Sequence, residues 1–193
     1  MSDQILNITI QNKIINFVKK NLKKIIFLLI FLILTLFSYF VYADLKKKND
    51  IKLSEQYMHA TIQFKKSKIV VTKQLMEDLV NKSHKFYSPL ALYFLIENNL
   101  ETDALKIINM FDKILSISSI DKENLNLIKI KKAFFLFSLE DEELIIKTLN
   151  PIINSESVWS NMAIKLMSDY FLSKGQKAKA NEYIQLLNNK IKK

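Results

Sequence analysis

Two histidines, His59 and His84, are the first places to look for chemistry, and they lie 25 residues apart. Glu55 precedes His59 by four, so on a helix the two share a face and make a two-ligand pair. A metal site needs three or four convergent ligands, and there is no further His and no Cys to supply them. Surface histidines are the simpler expectation. The run Glu140-Asp141-Glu142-Glu143 has the charge for a divalent cation. The simpler expectation is the charged first turn of a helix, where acids meet the positive end of the dipole. Phosphate-cradling loops need several glycines, and the chain has only Gly175. Serines are plentiful, yet neither histidine stands in a nucleophile context. No catalytic, cofactor-binding or metal-binding residue is assigned, and no enzyme is expected.

The net charge of +10 invites a nucleic-acid reading, but its distribution argues against one. Residues 1–52 hold 9 Lys against 3 acids, and the remainder holds 20 Lys against 16 acids. Much of the excess therefore flanks an apolar run, where lysines meet anionic headgroups. All 29 basic residues are lysine. Arginine is the usual reader of bases and phosphates, so its absence weighs against nucleic acid as a partner. Without cysteine, disulfides and thiolate metal sites are excluded.

These residues hang from one dominant element. Ile25 to Ala43 is uninterrupted by charge, Gly or Pro, with Lys23-Lys24 before it and Lys46-Lys47-Lys48 after it. Nineteen helical residues span roughly 28 Å, close to a bilayer's hydrocarbon core. Fourteen of the 19 are Leu, Ile, Phe or Val. At about 0.3–0.6 kcal/mol each they favour insertion by roughly 4–8 kcal/mol. Tyr39 and Tyr42 then fall in the interfacial belt. The expected layout is a basic leader (1–24), a transmembrane helix (25–43) that binds membrane lipid, and a helical domain (44–193). Val41-Tyr42-Ala43 also resembles a cleavage site, so a cleaved, secreted form is an alternative. Flanking lysines are nearly balanced, which leaves orientation open. In the leader, Ile10, Ile14, Phe17 and Val18 fit an amphipathic surface helix or an extension of the span.

Beyond the span the pattern is helical throughout. One Gly and two Pro leave few hairpin turns, and apolar residues recur at three and four. The periodicity predicts eight helices in four antiparallel pairs: 50–66 with 69–82, 88–98 with 101–117, 121–138 with 140–149, and 157–174 with 176–190. Leu53, Tyr57, Ala60 and Phe64 form the first stripe, faced by Leu75, Met76, Leu79 and Val80. Ala104, Leu105, Ile108, Phe111 and Leu115 form the inner face of the fourth helix. Ser88 is placed to cap a helix with Pro89 at its first position, and Asp121 to cap another. Pro151 is expected to stop a helix, and Gly175 to supply a left-handed C-cap. Phe134, Phe135 and Phe137 predict a helix buried on more than one side; the alternative is that one of these rings faces a partner groove. Trp159 reads as a core or hairpin-junction residue, and Lys190, Lys192 and Lys193 as a frayed, solvated end. Short-looped helical pairs predict an all-α, tetratricopeptide (TPR)-like solenoid of about four hairpins. The last pair fits best, through Ser168, Phe171, Gly175, Ala180, Ile184 and Leu187. Looser matches are Ala60 with Thr72 and Met76, Leu92 with Ala104 and Ile108, and Ala133 with Ile145 and Leu149.

The order of segments resembles a bacterial family of single-pass proteins with a TPR-like domain, the ancillary SecYEG translocon subunits, described alongside a cell-division coordinator TPR domain. The resemblance is carried by the leader Asn16-Phe17-Val18-Lys19-Lys20-Asn21-Leu22-Lys23-Lys24 and by Ser54-Glu55-Gln56-Tyr57-Met58-His59-Ala60. Tyr87-Ser88-Pro89-Leu90-Ala91-Leu92 and Val158-Trp159-Ser160-Asn161-Met162-Ala163 complete it. Family members carry more Ala and Gly where this chain has Ile, Phe and Lys. The resemblance implies an inner-membrane protein with a cytoplasmic N-terminus and a periplasmic TPR-like domain. It also implies contact with the Sec translocon or a periplasmic chaperone. Binding residues within the domain are not assigned. A cytoplasm-facing adaptor in envelope assembly or division is the opposite-topology alternative.

Overall fold

The computed structural model describes the backbone of residues 2–191 and the side chains of residues 19–24 and 26–190. The leader side chains Ile10, Ile14, Phe17 and Val18, and Lys192 and Lys193, lie outside the described set. All regular structure in the described residues is helical. The elements are α1 (Ser2–Lys65), α2 (Ile69–Asn81), α3 (Tyr87–Glu97) and α4 (Ala104–Leu115). They continue as α5 (Lys122–Leu139), α6 (Glu142–Ile153), α7 (Ser160–Ser173) and α8 (Lys177–Ile191). The chain divides into two units, one ending at Lys52 and the other beginning at Leu53.

In the first unit, α1 holds the one segment among the described residues that is long and apolar enough to cross a membrane. None of its most apolar stretch is buried. In the second unit, each helix from α2 to α8 packs on the next, and α5 also packs on α7. The core has two parts. One gathers Leu53 and Ala60 with α2, α3, α4 and the start of α5 as far as Ile128. The other runs from Ile130 through α6, α7 and Ala180 of α8. Ala60, Ala91, Ala133 and Ala163 are each completely buried, one in each odd-numbered helix. Having only a methyl group, each lets a neighbouring helix approach closely.

Several helix ends share one device. Residues with positive φ stand just after α1 (Ser67), α2 (Ser83), α3 (Asn99), α5 (Glu140) and α7 (Gly175). After α7, Gly175 N–H donates to Leu172 O (3.0 Å) and Gln176 N–H to Phe171 O (2.8 Å). This pair of bonds satisfies carbonyls that the helix leaves open, as expected for Gly175. Asn99 and Leu100 make the same pair onto Ile96 and Leu95. Ser67 and Lys68 repeat it onto Phe64 and Gln63.

Several expectations need correction. Ser88 does not cap α3, which starts at Tyr87; its hydroxyl is completely buried. It accepts from His84 N–H (2.8 Å) and donates to Leu79 O (2.9 Å). The hydroxyl thus relays a bond that the end of α2 would otherwise make directly. Pro151 does not stop α6, which runs to Ile153. In a last turn proline removes only one bond, while Ile152 and Ile153 are buried and hold the turn in place. Leu105 is 74% exposed, and the buried face of α4 is Ile107, Met110, Phe111 and Ile114. At 100° per residue Leu105 points away from that face. Glu140 belongs to no first turn but is the left-handed stop of α5. Asp141 then caps α6 by accepting from Leu144 N–H. Asp121 caps α5 as expected, accepting from Asn124 N–H at 3.0 Å.

Candidate functional site

The residues first suspected of chemistry take structural positions. His59 is exposed, with its Nε2 2.8 Å from Gln63 Nε2. His84 Nδ1 accepts from the amides of Phe86 and Tyr87, both at 3.2 Å, and so satisfies open donors at the start of α3. Among the described residues no three His, Asp or Glu side chains converge as metal ligands would. Lys190 is not a frayed end. Its ammonium group donates to Ile153 O (2.7 Å), Ser155 O (3.2 Å) and Ser160 Oγ, closing the negative end of α6. Trp159 is the N-cap residue of α7 and packs, partly buried, against the second core.

The strongest buried charge is Glu101, 5% exposed in the connection between α3 and α4. One oxygen accepts from the amides of Thr102 (2.9 Å) and Asp103 (3.0 Å). The other lies 2.8 Å from Lys106 Nζ and 3.1 Å from Lys73 Nζ. Burial alone would push the carboxyl up, but Lys106, the two amides and Lys73 outweigh it and hold it down to about 2. One oxygen bonds two amides and the other pairs with two lysines, so the group ties α2 to the start of α4.

An open site lies elsewhere. Between α3 and α5 the surface sinks into two adjoining clefts of about 210 and 250 Å3. The first is lined by Lys85, Phe86, Pro89, Leu90 and Tyr93 against Asn124, Leu127 and Ile128. The second continues with Tyr93, Ile96 and Glu97 against Lys131, Phe134 and Phe135, with Phe111 of α4 also lining it. Tyr93 belongs to both, so the clefts form one groove. Early residues of α3 face early residues of α5, and late face late, so the two helices run in the same direction. Such a pair is what two consecutive antiparallel hairpins produce.

The lining is apolar and aromatic with few charges. Phe86 and Phe134 are 59% and 51% exposed, well above what a core ring shows. Tyr93 is partly buried, and burial pushes its hydroxyl up to about 12. Lys131 Nζ sits 5.2 Å from the centroid of the Tyr93 ring, within cation–π reach. Each cleft is smaller than the roughly 300–1,000 Å3 of a small-molecule site, but side chains of a bound segment fit shallow clefts of this kind. Of the phenylalanine cluster that the sequence singles out, Phe134 is the exposed ring. Sequence reasoning assigned nothing to Phe86 or Tyr93, because their contribution depends on the lining residues of α5, which lie more than 30 residues away in sequence. Comparison of the chain with protein families, curated proteins and solved structures finds no match.

Proposed function

We propose that this chain is a membrane-anchored protein-interaction scaffold of the bacterial envelope, with a TPR-like helical domain and no catalytic role. The observation that carries the reading is the open aromatic groove between α3 and α5. Three further features support it. Helices pack in chain order with α5 also reaching α7, α3 and α5 run in the same direction, and odd-numbered helices each bury one alanine. The apolar segment of α1 supplies an anchor, and tethering raises the effective concentration of partners in the same membrane. Following the family resemblance, the partner is the Sec translocon or a periplasmic chaperone, the N-terminus is cytoplasmic and the domain is periplasmic.

Protease added to intact spheroplasts tests the topology. Digestion of the C-terminal domain, leaving a small anchored fragment, is expected. Protection until the membrane is broken would turn the chain into a cytoplasm-facing adaptor. A photo-crosslinking residue at Phe134 tests the partner in living cells, with Leu105 on the outer face of α4 as control. A translocon or chaperone adduct from Phe134 alone is expected; equal adducts from both positions would refute a groove-borne function.

A further inference from the structure

The groove is not electrically neutral. Lys85 stands at its α3 start, and Lys131 stands on α5 beside Tyr93. Among the described residues neither ammonium has a carboxylate within ion-pairing distance, although other lysines of the domain, such as Lys73, Lys106, Lys132 and Lys179, do. The acid in the lining is Glu97, which shares the second cleft with Lys131 but is not ion-paired to it, and lies far from Lys85. Two unpaired cations flanking an apolar floor form a specific pattern. They match a ligand with negative charges at two points and apolar groups between them.

The spacing narrows this further. Because α3 and α5 advance together and Lys131 lies opposite Tyr93, the two lysines are separated along the groove by about eight residues, from the turn before α3 to its middle. That is roughly 12 Å at 1.5 Å per residue. An extended peptide rises about 3.3 Å per residue and covers this in about four residues. We propose that the groove binds a short acidic segment of a partner protein, its apolar side chains seated on Tyr93, Leu127 and Phe134 between two carboxylates that meet Lys85 and Lys131. This rests on the scaffold reading above and gives its partner a chemistry.

Selection of a library of short random peptides on the full-length protein in nanodiscs tests it. The variants are Lys85→Glu/Lys131→Glu and, separately, Phe86→Asp/Phe134→Asp, all at exposed positions. Enriched peptides are expected to carry two acids three to five residues apart with apolar residues between. Their affinity should fall at least about tenfold in both variants and decline with salt. Enrichment that Phe86→Asp/Phe134→Asp abolishes but the lysine reversal leaves unchanged would overturn the acidic ligand and leave the groove standing. Basic peptides, enrichment indifferent to both variants, or no enrichment would each overturn the proposal. The last two would also count against the groove as the scaffold's working surface.

Discussion

Replacing Glu101 by Gln should destabilise the helical domain at neutral pH and flatten its response to acid. The carboxyl falls from 4.5 to about 2 on folding. At 1.36 kcal/mol per pKa unit that corresponds to at most ~3 kcal/mol. Lys73 and Lys106 are 37% and 41% exposed, so water screens much of their attraction. A share of about 1–2 kcal/mol is the reasonable expectation. Gln keeps an oxygen for the amides of Thr102 and Asp103 but offers no charge to either lysine. Because the folded-state pKa is depressed, the stabilisation is fully present above pH 4.5 and is lost as pH falls towards 2. Urea unfolding of the full-length protein in detergent micelles, followed by far-ultraviolet circular dichroism across this window, reads both effects. Wild type should lose its advantage over the variant on acidification, and the two should converge near pH 2. A variant within about 0.3 kcal/mol of wild type at neutral pH, with the same acid slope, would refute the reasoning. It would mean that desolvation of the carboxylate cancels its ion pairs.

Other perturbations follow from the same geometry. Ser88→Ala should cost about 1–3 kcal/mol in urea unfolding, since it leaves the His84 amide and the Leu79 carbonyl without their shared hydroxyl. Gly175→Ala should cost about 1 kcal/mol through backbone strain alone, because an added Cβ meets nothing within 4 Å. A much larger loss would point to packing instead. Leu149→Ala should cost about 2–5 kcal/mol and raise hydrogen exchange chiefly in α6–α8, because Leu149 is fully buried in the second core. Equal loosening of α2 and α3 would show that the two cores unfold as one.

The helices were legible because their apolar stripes repeat over three or more turns, as with Leu53, Tyr57, Ala60 and Phe64. Their ends were much less so. Among the described residues five left-handed residues stop helices, and of these Gly175 alone announces itself. Ser67, Ser83, Asn99 and Glu140 adopt the same conformation without the glycine signature, because the bonds and burial around them outweigh a strain of about 1–2 kcal/mol. Leu100, following Asn99, is buried against the first core. Pro151 failed as a signal for a related reason: burial of Ile152 and Ile153 extends α6 past it. Glu101 and Lys190 were missed because their roles depend on groups 28 to 37 residues away in sequence, which periodicity cannot report.

The groove itself was illegible because it arises from a difference between two neighbouring helix pairs. On the α5/α7 side, Ala133 and Ala163 are fully buried in one core. There Asn126 donates to Ser157 Oγ at 3.0 Å, and Ser157 donates to Glu123 at 2.6 Å. Small side chains and short polar links let α5 and α7 pack directly. On the α3/α5 side, Tyr93, Lys131 and Phe134 line the opening. Bulky, partly exposed groups hold the helices apart without filling the space between them. The same α5 therefore closes against one neighbour and opens towards the other. This makes a concrete requirement of the groove: Tyr93→Ala together with Phe134→Ala should let α3 and α5 draw together. A spin-label pair at Leu90 and Leu127 should then report a shorter distance and loss of peptide binding in the same protein. An unchanged distance would mean that the core beneath, at Phe111 and Ile128, sets the spacing and that the aromatic rings only line it.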